Sequence, residues 1–399
     1  MRGADPLGVP GFRASGIPSG IKPEGRDLAL IVSEVPAVVA GVFTRSTVVG
    51  APVELDRERV KSGAARGVVV NSGCSNVATG ARGRRDAERM AEWTAKALGC
   101  ESDEILVAST GVIGEPLPMK ALREGIPQAA AALSEGGLLE AAEAIRTTDT
   151  FAKSAQRVIR IGGRKVTVAG IAKGSGMIEP NMATMLAFLV TDADVAPGLL
   201  RAILRRVSAE TFNRVTVDGE GSTSDMALLF ANGLAANPRL KGRADPEVAR
   251  FEAAVHEVAE SLARDLARDG EGATTLVTVE VRGARNQREA EGAARRVANS
   301  LLVKTAIFGG DPNWGRILQT IGAGRFAIDL ERARVRLGGA TVYARGKPTG
   351  PAARKRAEAS HADVELKVEV DLGVGEAEAR VWTCDLSYDY VKINAEYTT

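Results

Sequence analysis

The sequence predicts an α/β protein with sheets packed between layers of helix, on three observations. Short runs rich in Val, Ile, Leu and Phe alternate with longer stretches whose apolar residues recur every three or four positions, the periods of buried strand and amphipathic helix. The chain is 45% hydrophobic but only 4% aromatic, so its core is built from Val, Leu, Ile and Ala. At 399 residues with no internal repeat, low-complexity tract or long linker, the length suits two lobes and a sizeable core.

Charge and cysteine content narrow the function classes. Fifty-two basic residues against fifty acidic give a formal net charge of +2. With no long run of one sign, neither a nucleic-acid partner nor a membrane surface is implied. Cys74, Cys100 and Cys384 are odd in number and far apart, which argues against a disulfide framework or a zinc site and for reduced thiols. No metal site is expected. The N-terminal MRGADPLGVPGFR lacks the apolar segment of a signal peptide, and the apolar run Leu28 to Phe43 is broken by Glu34 and Pro36. A soluble, cytoplasmic protein is the expectation.

In chain order, Leu28 to Val32 and Ala37 to Phe43 read as two strands separated by Ser33, Glu34 and Pro36. Gly67 to Val70 is a short buried strand leading to the loop Asn71 to Asn76. Asp86 to Leu98 is a helix with Ala87, Met90, Ala91, Thr94 and Leu98 on one face and Gly99 as its stop. Ile105 to Ala108 is a strand ending in Ser109-Thr110-Gly111, and such an end can leave backbone N–H groups without partners. Helix resumes after Pro116 and Pro118, and an Ala-rich stretch from Gln128 to Ile145 is helical with a break at Gly136-Gly137.

The rest of the chain is organised around residues 173 to 186. A glycine turn carrying Lys173 meets Glu179-Pro180-Asn181, and Met182 to Val190 is then a nearly continuous apolar run with one hydroxyl, Thr184. Such a run is a strand buried on both faces. Thr184 is then either a β-branched strand residue or, if the Ala183-Thr184 bond is cut, a new N-terminus holding a hydroxyl nucleophile beside its own α-amine. A free α-amine titrates roughly two units or more below a lysine, so it can act as base at cellular pH. Periodicity does not choose between the two.

Beyond it, Pro197 to Phe212 is a helix and Val215 to Gly221 a strand running into an acidic turn. Pro246 to Ala267 is an amphipathic helix, with Val248, Phe251, Val255, Val258, Leu262 and Leu266 in one stripe. His256 flanks that stripe. It and His361 are the chain's two histidines, and neither sits in a catalytic-looking loop, which leaves a Ser-His-Asp triad without support. The loop Asp269-Gly-Glu271-Gly precedes a strand from Thr274 to Val281. Ala290 to Leu302 is a second Ala-rich helix, and Asp311-Pro312 caps a third lined by Trp314, Ile317, Leu318 and Ile321. Gly309-Gly310 forms no dinucleotide fingerprint. Val364 to Leu372 alternates as a strand with one wet face, and Ala377 to Thr383 reads as its hairpin partner. The polar end from Ile393 to Thr399 would by default be frayed.

The block KGSGMIEPNMATMLAFLVTDA from Lys173 resembles the self-cleavage segment of the ornithine acetyltransferase family, also called glutamate N-acetyltransferase, of arginine biosynthesis. Seven further blocks agree in order: GFRASGIPSGIK from Gly11, ASTGVIGEPLPM from Ala108, AIRTTDT from Ala144, FNRVTVDGEGSTSD from Phe212, RDGEGAT from Arg268, LVKTAIFGGDPNWGRI from Leu302, and the closing INAEYTT. The resemblance implies a fold of the N-terminal-nucleophile acetyltransferase type. It also implies self-cleavage between Ala183 and Thr184, giving an alpha chain 1–183 and a beta chain 184–399 that stay together as a heterotetramer. It gives Thr184 as nucleophile, Thr110 and Gly111 as oxyanion hole, and Thr147, Lys173, Thr184, Glu271, Asn394 and Thr399 as substrate-binding residues. The implied reaction moves the acetyl group of N2-acetylornithine to glutamate by a ping-pong route, needs no cofactor, and leaves acetyl-CoA open as a further donor. Two positions depart from the family pattern: Cys74 where Asn is usual, which is given no role, and Glu220 where Asp is usual, a change that keeps the charge and leaves the role of that turn open. An amidohydrolase or aminopeptidase on the same fold, and a non-catalytic scaffold with Thr184 uncut, are the alternative readings.

Overall fold

A computed structural model describes residues 7–179, 185–242, 244–361 and 363–396. Ala183, Thr184 and Thr399, all assigned roles above, lie outside the described residues.

Two sheets organise the chain. The larger is built from β1 (Phe12–Ile17), β2 (Leu28–Phe43), β3 (Ala64–Cys74), β4 (Ile105–Val112), β5 (Lys153–Ile161), β6 (Arg164–Lys173), β7 (Leu186–Thr191) and β8 (Met226–Ala231). Its order is β4-β3-β2-β8-β7-β6-β5, with β1 also paired to β2. The smaller holds β9 (Leu276–Ala284), β10 (Arg334–Leu337), β11 (Ala340–Ala344), β12 (Lys347–Pro348), β13 (Glu365–Asp371) and β14 (Ala377–Cys384), in the order β12-β11-β10-β13-β9-β14. The helices are α1 (Ala51–Arg59), α2 (Gly80–Leu98), α3 (Met119–Ala131), α4 (Leu138–Ala144), α5 (Pro197–Glu210), α6 (Pro246–Arg268), α7 (Gln287–Ala298), α8 (Leu301–Phe308), α9 (Trp314–Ala323), α10 (Pro351–Ser360) and α11 (Tyr388–Glu396).

Side-chain alternation decides what each face of the larger sheet meets. Leu28 and Leu30 of β2 pack with Met90 of α2 and Leu122 of α3, whereas Ala29 and Ile31 pack with Leu138 and Ala141 of α4. In β7, Ala187 and Leu189 join the cluster built on α5 and α6, while Phe188 and Val190 point to the opposite face. The expected two-sided burial of this strand therefore holds, although β7 begins only at Leu186. Helix α6 also touches β9 and β14, so it joins the two sheets, and Val258 and Leu262 share a cluster with Trp382. Its start is fixed by Asp245, whose carboxylate accepts from Glu247 N at 2.9 Å ahead of Pro246.

Several boundaries differ from the sequence expectation. Leu28 to Phe43 is one strand: Ser33 to Pro36 make an irregularity in its pairing to β3, not a turn, and its later half pairs with β8. β4 runs through Ser109-Thr110-Gly111 instead of ending at Ala108. Val215 to Gly221 forms no named strand, only an isolated bridge from Val215 to Trp382. The Ala-rich helix predicted over 290–302 is two helices, α7 and α8, divided where the Ser300 side chain caps Val303 N. Asn313, not Asp311, caps α9 by accepting from Arg316 N at 3.1 Å. β13 and β14 are not a hairpin, since each pairs with β9 on opposite sides. The C-terminal residues through Glu396 are helical, not frayed.

Among the described residues, no helix is long and apolar enough to cross a membrane. All three cysteines are free.

Candidate active site

A cavity of about 220 Å³ opens where the ends of β4, β6 and β7 meet the loops before β8 and after α6. Thr110, Gly111, Thr147, Lys173, Glu271 and Asn394 all line it, together with Met185, the residue that follows Thr184 in the chain. These residues come from widely separated segments, so the sheet ends and α11 gather what the sequence scatters.

Lys173 ends β6 and is almost fully buried. Its Nζ donates to Thr147 Oγ1 at 2.9 Å and to Thr110 Oγ1 at 3.2 Å. Each hydroxyl oxygen thus accepts from an ammonium group, which leaves the hydroxyl hydrogen free to donate elsewhere and more acidic for it. Burial pushes the lysine down from its usual value, Asp149 opposes that, and Lys153 adds to it. Among the described residues these two hydroxyls take two of the three N–H donors of Lys173, and the third is left for a ligand.

Gly111 is demanded by a close approach. It has φ +130°, and a Cβ there would lie 2.3 Å from the Gly73 carbonyl carbon. The β3–β4 register shifts at Gly73/Cys74, so the strand bulges at this point and carries Thr110 and Gly111 along the cavity wall. The signal in the sequence is the glycine itself, which reads as a turn but serves a bulge.

Glu271 lies over Gly176, where a Cβ would meet its carboxylate at 2.4 Å. Asn394 Nδ2 donates to Glu271 Oε2 at 2.8 Å and to Tyr390 O at 3.0 Å. Helix α11 thus brings the C-terminal segment to the cavity, as the resemblance implied for Asn394. Tyr390 also lines it, and its phenol is pushed up to about 12 by burial and then by the negative charges of Asp218, Glu271 and Glu220. This side of the cavity is therefore electronegative, and Lys173 supplies the positive charge.

No local pattern in the sequence marks Asp218, although it stands in the block FNRVTVDGEGSTSD from Phe212. Its carboxylate accepts from Met177 N at 2.6 Å and Ile178 N at 2.9 Å, which pins a Met177 held at φ 54°. A non-glycine residue in that region is strained and persists only where its surroundings fix it. Asp225, also unforeseen, lines the cavity in the position before β8; burial drives its carboxyl well above the usual range, against a hydrogen bond from Ser222 and the charge of Lys173.

Cys74, His256 and His361 do not line the cavity. Cys74 is buried with Sγ directed to Glu115 O at 3.1 Å, and burial pushes its thiol up. His256 sits between Glu210 and Glu260 and His361 against Ala357 O, neither lining this cavity. Glu220 does line it. Among the described residues, no cluster of three or more His, Cys, Asp or Glu is placed to hold a metal.

The ArgJ family pattern matches residues 13–399. This chain belongs to the ArgJ family. The arginine biosynthesis bifunctional protein ArgJ of Geobacter sulfurreducens is 49% identical over 394 residues, spanning 98% of this chain and 100% of its own. The protein of the same name from Symbiobacterium thermophilum is 48% identical over 397 residues, spanning 98% and 97%. A crystal structure of the ArgJ protein of Bacillus halodurans superposes with a TM-score of 0.50 at 42% identity, covering 52% of this chain and 96% of that one.

Proposed function

We propose that this ArgJ-family chain is a self-processing acetyltransferase that moves the acetyl group of N2-acetylornithine to glutamate through an acetyl-enzyme. The observation that carries this is the convergence of Thr110, Gly111, Thr147, Lys173, Glu271 and Asn394 on one cavity that Met185, next to Thr184, also lines. In the first half-reaction the Thr184 hydroxyl attacks the acetyl carbonyl while its α-amine takes the proton. The Thr110 hydroxyl, already accepting from Lys173, and the backbone N–H of Gly111 stabilise the oxyanion. The C–N bond then breaks, the proton passes to the departing α-amine, and ornithine leaves an acetyl ester on Thr184. The amine of glutamate attacks that ester in the second half-reaction and restores the free hydroxyl. The remaining donor of Lys173 meets the substrate carboxylate, and Glu271 on the electronegative side suits the cation of ornithine.

Cleavage between Ala183 and Thr184 is part of this proposal. It is supported by the solved relative, a chain matched over 96% of its length that covers only about half of this one. We further propose that the two product chains assemble as a heterotetramer in the cytoplasm and that acetyl-CoA serves as a second donor, in keeping with the word bifunctional in the relatives' names.

Purified protein mixed with acetylornithine and glutamate should yield acetylglutamate and ornithine in equal amounts, and acetyl-CoA with glutamate should also yield acetylglutamate. Release of acetate with no glutamate dependence would instead identify a hydrolase.

Asn394→Ala should raise KM for both amino-acid substrates by about tenfold, the scale of losing one hydrogen bond to a charged group. The thermal midpoint should barely move, because Asn394 adds little buried apolar surface. Unchanged KM in this variant would remove the C-terminal helix from the site.

A further inference from the structure

We propose that Lys153, held between Asp149 and Asp269, is a positioning residue that sets Thr147, Lys173 and Glu271 in mutual register for amino-acid binding. The proposal rests on the acetyltransferase reading of the cavity. Lys153, Asp149 and Asp269 are all buried, and none of them lines that cavity.

Lys153 is the first residue of β5 and has no exposed side-chain surface. Its Nζ donates to Asp149 Oδ1 at 2.7 Å and to the Asp269 carboxylate. Each carboxylate in turn grips a substrate-binding segment. Asp149 accepts from Gly174 N at 2.6 Å, just after Lys173, and from Thr147 N at 3.1 Å. Asp269 accepts from Thr150 N at 3.1 Å and from the Thr150 hydroxyl. It stands two residues before Glu271, whose N–H donates to Ser175 O at 2.9 Å. One ammonium therefore ties the 147–150 segment, the end of β6 and the Glu271 loop.

The charges make the arrangement costly to disturb. Burial disfavours ionised Asp149, but Lys153 and Lys173 together hold it well below the usual carboxylate range. Removing the Lys153 charge leaves Lys173 as the other cation acting on the buried Asp149 carboxylate, which draws that ammonium away from Thr110, Thr147 and the substrate.

The test is the kinetics of cleaved, purified Lys153→Met, Thr150→Val and the double variant Lys153→Met/Asp269→Asn, with thermal midpoints measured alongside. Lys153→Met should raise KM for acetylornithine and glutamate by about tenfold or more, and Thr150→Val by about threefold, with kcat falling less than KM rises. The double variant removes one charge of each sign, so it should regain thermal stability yet keep the raised KM. Restoration of KM together with stability, or a lowered midpoint with KM unchanged in the single variants, would overturn the proposal. Should Lys153→Met fail to fold, Thr150→Val, which removes one hydroxyl from an exposed residue, decides alone. The parent's turnover is read first: a parent that transfers acetyl groups alongside variants with parental KM sinks the positioning role only, whereas a parent without turnover sinks the acetyltransferase reading.

Discussion

Thr184→Ala is expected to give a single full-length polypeptide that folds and transfers no acetyl groups, whereas the parent should run as two polypeptides under denaturing mass spectrometry. In the proposed cleavage the Thr184 hydroxyl attacks the Ala183 carbonyl, the C–N bond breaks as the peptide becomes an ester and frees the α-amine, and water then opens the ester to give the Ala183 carboxylate and restore the hydroxyl. Both the cut and the transfer need that oxygen, so losing it abolishes both at once. The product chains should begin at or near Met1 and at Thr184. They should stay associated, since β6 and β7 pair from Lys173↔Leu186 to Val168↔Thr191 across the cut. Thr184→Ser should still cut, more slowly if the restricted rotamer of Thr helps to hold the hydroxyl in place. An uncut parent that nonetheless transfers acetyl groups would end the N-terminal-nucleophile mechanism.

Thr110→Ala should lower turnover by roughly 100-fold to 1,000-fold, the scale for one oxyanion-hole donor. The residue lies late in β4, and its hydroxyl bonds Lys173, not a core backbone group, so the fold should survive. Thr110→Ser, which keeps the hydroxyl, should retain most of the activity. Turnover of Thr110→Ala within a few-fold of the parent would take Thr110 out of the site.

Parts of the fold are legible in the sequence because local pattern and tertiary environment agree. The stripe of α6 from Val248 to Leu266 is buried as spaced. The continuous apolar run before Thr191 is a strand buried on both faces. Where the sequence misleads, long-range pairing overrides local signals. Pro36 sits in a strand because the irregularity after Val32 spares it a place in the β3 ladder. The alternation of Glu365–Asp371 and Ala377–Cys384 identifies two strands but does not show that β9 lies between them.

The site divides in the same way. Thr110, Thr147, Lys173, Glu271 and Asn394 carry no periodic signature and are readable only through resemblance. Lys153 is not readable at all, since a lysine opening a strand looks like an ordinary surface residue until β5, α6 and two aspartates close around it.

The strand order of the larger sheet has a consequence for the life history of the molecule. β7 and β8, which follow the proposed cut, lie between β2 and β6, which precede it. The second chain is thus threaded through the first, hydrogen-bonded on both flanks. Folding would then have to come before the proposed cut, because the first chain's strands form two separate groups, β4-β3-β2 and β6-β5, that only β8 and β7 join. Once cut, the halves remain with the partner they were synthesised with, and a mixture of isotopically distinct molecules would keep its original pairings until it was unfolded.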